Sequence, residues 1–142
     1  MAIRINNRTT LHQGRVYNLV TENVTLDSGV TTDVEFIQHP GATAIIPMID
    51  PTHIILLNQY RHALRKYIWE IPAGTLDPGE SVMSCAKREL IEETGYSAGQ
   101  WQKLAEITPV PRSCFTSSRN GRLCSMWYSA TLISSATSWS ST

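Results

Sequence analysis

Apolar and polar residues alternate from Gly14 to Leu26 and again from Val30 to Gln38, on either side of Asp27-Ser28-Gly29. Period-two alternation around a turn-forming tripeptide predicts a β-hairpin. His39-Pro40-Gly41 interrupts the pattern. Two apolar, β-branched-rich runs follow, Ala42 to Ile49 and His53 to Tyr60. They are joined at Asp50-Pro51-Thr52 and predict a second hairpin. Arg61 to Tyr67 reads as a basic loop, Ile68 to Pro72 as a short strand, and Trp101 to Thr108 as another strand. Residues 1–12 are polar and irregular. No internal repeat is visible.

Between these strands the period changes from two to nearly four. Val82, Met83, Ala86 and Leu90 form an apolar stripe of the kind that faces a core. Ser81 can cap the helix this implies, and Asp77, Pro78 and Gly79 before it each favour a bend. The helix runs to about Thr94, and Gly95 accepts the left-handed conformation that ends one. Strands, one central helix and more strands place the chain among the α+β or α/β/α sandwich folds.

The helix carries unusual charge. Glu89, Glu92 and Glu93 stand at i, i+3 and i+4, so they share one face and repel one another. A hard divalent cation resolves that repulsion, because Mg²⁺ takes oxygen ligands from a few carboxylates and substrate phosphates. Arg88 lies four residues before Glu92, placed to brace a carboxylate rather than to touch a substrate. Glu80 has two readings. It is a carboxylate supporting the site, or simply a favourable negative charge at a helix N-terminus.

Composition narrows the class. At 142 residues, 42% hydrophobic and 17% charged, with no net charge, the chain reads as one globular domain. Neutrality gives no general basic surface for nucleic acid, and no apolar run is long enough for a membrane span. No apolar stretch follows Arg4 and Arg8, so a signal peptide is not expected. Cys85, Cys114 and Cys124 are odd in number and lack metal-ligand spacing, which suits free thiols in a reducing cytoplasm, with Cys85 a small buried residue of the helix. The C-terminal part differs. After Glu106 no acidic residue occurs in 36 positions, ten of which are serine. Cys124–Tyr128 and Leu132-Ile133 offer strand material, whereas Ser134–Thr142 reads as a low-complexity, disordered tail.

The stretch Gly74, five residues, Glu80, seven residues, then Arg88-Glu89-Leu90-Ile91-Glu92-Glu93-Thr94-Gly95 is the Nudix box. It departs from the family only at Tyr96, where an aliphatic residue is usual. Asn58-Gln59-Tyr60-Arg61, Trp69-Glu70-Ile71-Pro72-Ala73-Gly74 and His39-Pro40-Gly41-Ala42 resemble the ADP-ribose pyrophosphatase branch of that superfamily. The resemblance covers about residues 14–110. It implies an α/β Nudix-type α/β/α sandwich with a mixed sheet and an N-terminal antiparallel hairpin subregion. The implied organisation is 1–38 as a dimerising hairpin region, 39–133 as the hydrolase domain and 134–142 as a disordered tail.

The resemblance further implies a cytoplasmic, homodimeric enzyme that hydrolyses the diphosphate of ADP-ribose, or of a similar nucleoside diphosphate derivative, giving AMP and ribose 5-phosphate. Mg²⁺ is the implied cofactor, with Mn²⁺ as the alternative. The backbone carbonyl of Ala73, with Glu89 and Glu93, is to hold the metal, and Glu92 contributes through metal or water. Glu89, Glu92 and Glu93 are thereby the catalytic set. Arg61, Glu70 and Trp69 are the implied substrate contacts, with a solvated loop arginine and a core-packed tryptophan as the alternatives for Arg61 and Trp69. The partner is a small nucleoside diphosphate, not nucleic acid or membrane. The branch also places an acidic residue on a loop well after the box. Here Pro109-Val110-Pro111-Arg112-Ser113-Cys114 supplies none. Two other readings follow: a weak or inactive nucleotide-binding protein with an incomplete C-terminal site, or a Nudix hydrolase for another nucleoside diphosphate.

Overall fold

The computed structural model describes residues 3–108, 122–127, 130–136 and 140–141. These form two compact units. The first is an antiparallel sheet of β1 (Arg4–Gln13), β2 (Asn18–Thr25) and β3 (Thr31–Gln38), extended by β11 (Arg122–Trp127), which runs parallel to β3. The β2–β3 hairpin forms as its alternation predicts, and Gly29 turns it with φ of 81°. Val20 and Val24 are the buried positions of β2.

The strand β1 was not legible from hydrophobic periodicity. All ten of its residues are exposed, so no buried face imposes a period of two. The ladder to β2 and cross-strand side chains hold it instead. Asn6 donates to Asn23 and Thr25 at 3.0 and 2.9 Å, and Arg8 pairs with Glu22 at 3.4 Å.

The second unit holds the helix. β4 (Ala42–Asp50) lies at its centre, with β12 (Ala130–Ala136) parallel on one side and β10 (Gln100–Ile107) antiparallel beyond it. On the other side β4 pairs with β5 (His53–Ile54) and with β8 (Ala73–Thr75). The sheet is therefore mixed, and α1 (Val82–Thr94) packs on it. Ile45 of β4, Ile133 of β12 and Ala86 and Leu90 of α1 form the core, flanked by Val82, Met83, Ala98 and Trp101. Burying such aliphatic side chains stabilises the fold by about 1.5–3 kcal/mol each. The predicted stripe is thus the buried one, and Cys85 joins it.

Two segments differ from expectation. The second hairpin closes over only Met48–Ile54 and Asp50–His53, after which the chain leaves β4. β6 (Leu57–Arg61) then pairs with β7 (Lys66–Glu70) in a separate two-stranded sheet. The expected basic loop shrinks to a turn, with Lys66 and Tyr67 in the strand. An apolar run can pair with either neighbour, and register rather than composition decides which. At the C-terminus, β12 continues to Ala136, and β13 (Ser140–Ser141) pairs with β9 (Tyr96–Ser97). Backbone pairing places serine-rich chain in strands without needing apolar side chains. The loop expected to lack an acidic residue, Pro109–Cys114, lies outside the described residues.

Candidate active site

The helix start fixes the site's geometry. Ser81 caps α1 by accepting a hydrogen bond from the Ser84 amide at 3.1 Å, and Gly95 ends it in the left-handed region with its N–H on the Ile91 carbonyl. Between these caps Arg88 is a hub. Its Nε and terminal nitrogen donate to the two Glu80 oxygens at 3.0 and 2.9 Å. Its other nitrogen donates to Glu89 at 2.7 Å and Glu92 at 3.1 Å. These hydrogen bonds from Arg88 are the main reason the Glu80 carboxyl is held down to about 2, and those to Glu80 and Glu89 raise the Arg88 pKa. Of the two readings left open for Glu80, the support role is the one its side chain performs.

Gly74 faces the same group. A Cβ built there would stand 1.9 Å from the Glu89 carboxyl. Only glycine lets β8 approach that carboxylate so closely. Next to it, the Ala73 N–H donates to Glu93 at 3.0 Å. Sequence reasoning assigned Ala73 a role through its carbonyl and missed this amide contact, for which side-chain patterns carry no signal. Burial raises the Glu93 pKa above the usual carboxylate value. The Ala73 amide opposes that, the Glu89 and Glu70 charges add to it, and Arg61 reduces it. Glu93 therefore sits in the electrostatic field of all three side chains.

Arg61 and Glu70 form one pair across β6 and β7, at 2.6 Å between charged atoms and with a 3.1 Å hydrogen bond from Nε. Trp69 does not join them. Successive strand residues point to opposite faces, and Trp69 stands opposite Asn58 while Glu70 stands opposite Leu57. Trp69 is 68% exposed, so it is not core-packed either. Glu92 also departs from its neighbours: its side chain is 57% exposed and reaches only as far as Arg88, whereas Glu89 and Glu93 are half-buried.

The donor chemistry of Glu89, Glu92 and Glu93 suits a hard divalent cation, since all offer carboxylate oxygen. The side chains are not gathered around one point, and no cluster of three such ligands occurs among the described residues. Arg88 holds two of the carboxylates and the Ala73 amide holds the third. Gly74 leaves room beside Glu89. Arg88 takes Oε1 of Glu89, while Glu80 keeps Arg88 in place.

A capped helix bearing paired carboxylates, braced by one arginine against a glycine strand, defines a family. The NUDIX domain model matches residues 38–138, and the chain belongs to that family. Among its relatives, the ADP-ribose pyrophosphatase of Bacillus subtilis is 43% identical over 98 residues, covering 69% of this chain and 51% of the relative. The ADP-ribose pyrophosphatase of Mycobacterium tuberculosis is 40% identical over 103 residues, covering 72% and 50%. The methanol dehydrogenase activator of Bacillus methanolicus is 42% identical over 101 residues, covering 71% and 55%. The chain spans about half the length of these relatives. A crystal structure of an ADP compounds hydrolase superposes with a TM-score of 0.69 at 25% identity, over 95% of this chain and 67% of that one. No helix among the described residues is long and apolar enough to cross a membrane.

Proposed function

We propose that this chain is a metal-dependent hydrolase of the diphosphate in ADP-ribose or a close nucleoside diphosphate relative, giving AMP and ribose 5-phosphate. The observation that carries the reading is the meeting of Glu89 and Glu93 with β8, where Gly74 admits a carboxylate against the backbone and the charges of Arg61 and Glu70 are felt at Glu93. Relatives named for ADP-ribose and ADP compounds favour that substrate class. Mg²⁺, with Mn²⁺ as the alternative, would be held by Glu89 and Glu93, with Glu92 and the Ala73 carbonyl nearby. Such an ion supplies charge neutralisation at the diphosphate and a more acidic bound water.

The chain's own residues do the rest. Arg61, held by Glu70, offers a cation to a phosphate oxygen. Glu93, its pKa raised by burial, is a carboxylate at the site able to exchange a proton with water. Arg88 keeps Glu89 oriented. Adding ADP-ribose with and without Mg²⁺ and following AMP by chromatography tests the reading. Metal-dependent AMP release is expected, and its absence across a panel of ADP-sugars and dinucleotides would leave a nucleotide-binding protein in its place.

The same reading includes a homodimer formed through residues 14–38 and a cytoplasmic location. Val16, Tyr17 and Val30 stand exposed on or beside the β2–β3 hairpin, with Ile3, Ile5 and Leu11 exposed on or beside β1, apolar surface that a partner subunit would cover. Light scattering at micromolar concentration checks the assembly.

A further inference from the structure

The turn end of the β6–β7 hairpin sets two cations against each other. Arg61 of β6 and Lys66 of β7 are direct cross-strand partners, so their side chains leave the same face of the ribbon. Gln59 and Ile68 come next on that face, and Glu70 stands at its far end, opposite Leu57. The charges of Arg61 and Glu70 are felt at Glu93, so this face is the one that brings charge to the site. Lys66 therefore lies on the site side of the hairpin, although no motif marks it.

Like charges directly opposite on a sheet destabilise the pair. A neighbouring carboxylate can relieve them, and here it reaches only one partner. Arg61 leans along the ribbon to Glu70, giving Nε to Oε2 at 3.1 Å and setting Nη2 2.6 Å from Oε1. Lys66 is exposed and has no ion-pair partner among the described residues. No aspartate or glutamate occurs after Glu106 to supply one. Nη1 of Arg61 likewise makes no hydrogen bond among the described residues. Glu70 thus offsets the charge of Arg61, and Lys66 leaves the face net positive. On α1 the site presents Glu89, Glu92 and Glu93, which repel an anionic ligand. The uncompensated positive charge available to a diphosphate from the hairpin strands is that of Lys66.

We propose that Lys66 is a substrate-binding residue of this site, its ammonium taking a phosphate of the diphosphate alongside Nη1 of Arg61. The inference rests on the hydrolase reading for the identity of the substrate. A lysine ammonium is a compact point charge on a flexible stem, without the fixed fork of arginine. It selects for phosphate charge rather than for the shape of the attached group, so a diphosphate should be held more tightly than a monophosphate.

The test is titration calorimetry of the full chain with α,β-methylene-ADP and with AMP in the presence of Mg²⁺, beside steady-state hydrolysis of ADP-ribose. The methylene bridge resists cleavage, so binding is read independently of turnover. The unaltered chain should prefer the diphosphate analogue. Lys66→Gln should weaken it about fivefold and flatten the dependence of affinity on salt. Lys66→Arg should restore most of the loss. In hydrolysis the loss should appear in KM rather than in kcat. Lys103→Gln, on the sheet edge away from β8, measures what removing any one positive charge does. The thermal midpoint of Lys66→Gln should not fall, because the change relieves a like-charge pair. No binding of the analogue by the unaltered chain overturns the proposal, as does a Lys66→Gln affinity no lower than that of Lys103→Gln. Lost binding together with a lowered midpoint assigns Lys66 to structure and also overturns it. Failure of the hydrolase reading has a separate signature, the absence of AMP release from ADP-ribose while the analogue still binds through Lys66.

Discussion

The helix α1 and the β6–β7 hairpin belong to one unit and flank one candidate site, yet they are built on opposite terms. The helix is capped at both ends, buries Cys85, Ala86 and Leu90, and ties Glu89 and Glu92 to an Arg88 that Glu80 holds in turn. Among the described residues the hairpin pairs only with itself, and it shows three aromatic rings to water. A two-stranded ribbon is marginal by itself in water. The half of the candidate site carrying Glu89 and Glu93 is therefore held by the core, whereas the half carrying Arg61 and Glu70 rests on little packing. The two parts of the candidate site are set by elements that differ in how much they bury.

That contrast can be broken most sharply at the carboxylates. Glu93→Gln and Glu89→Gln should each lower kcat on ADP-ribose by about 10²-fold or more. Thermal midpoints should move little, because both side chains are half-buried at the site rather than in the core. Steady-state turnover near that of the unaltered chain in both variants would remove them from the chemistry. Gly74→Ala is the next largest effect. Its methyl collides with the Glu89 carboxyl, so the carboxylate must rotate away. Loss of metal affinity, read by titration calorimetry, should exceed any loss of stability.

The rigidity of the helix is tested in its core. Leu90→Ala removes a fully buried side chain and should cost about 2–5 kcal/mol in denaturant unfolding. Smaller and pH-dependent is the effect of Glu80. Its carboxyl is depressed from 4.5 to about 2, so its contribution is fully present above 4.5 and is lost as pH falls toward 2. Acid unfolding of Glu80→Gln should accordingly lack part of that slope, with a lower starting stability at neutral pH. Smallest of all, Glu70→Gln weakens a pair whose arginine is half exposed. It should change stability by about 0–1 kcal/mol while raising KM, which separates a positioning role from a structural one.

The same contrast explains what the sequence revealed. The helix was legible because its signals are local: a serine before it, a glycine after it, and Ala86 and Leu90 at helical spacing. Glu89, Glu93 and Arg88 followed from that register. The hairpin was legible only as apolar runs, because whether Leu57–Arg61 pairs back to β4 or forward to Lys66–Glu70 depends on partners distant in the chain. Trp69 was linked to Arg61 and Glu70 by the branch motif they share, and strand alternation places it on the other face of the hairpin. The strand β1 was invisible for another reason: every side chain in it is exposed, so no alternation arises. Its stability comes from backbone pairing and from contacts such as Asn6 with Asn23.

Cys85 sits at the seam between α1 and β8, fully buried, its sulfur 3.8 Å from the Gly74 carbonyl and 3.6 Å from that of Thr75. Desolvation, reinforced by the Glu80 charge, pushes its thiol up to about 12. At ordinary pH the closed protein holds almost no thiolate there, and alkylating reagents and oxidants have neither access nor a nucleophile to meet. Modification of Cys85 can then proceed only through molecules in which helix and strand have parted. Its labelling rate, resolved from the other cysteines by peptide mass, becomes a clock for how often the seam opens. A ligand that fastens Glu89 and Glu93 at β8 should slow that clock in proportion to its occupancy.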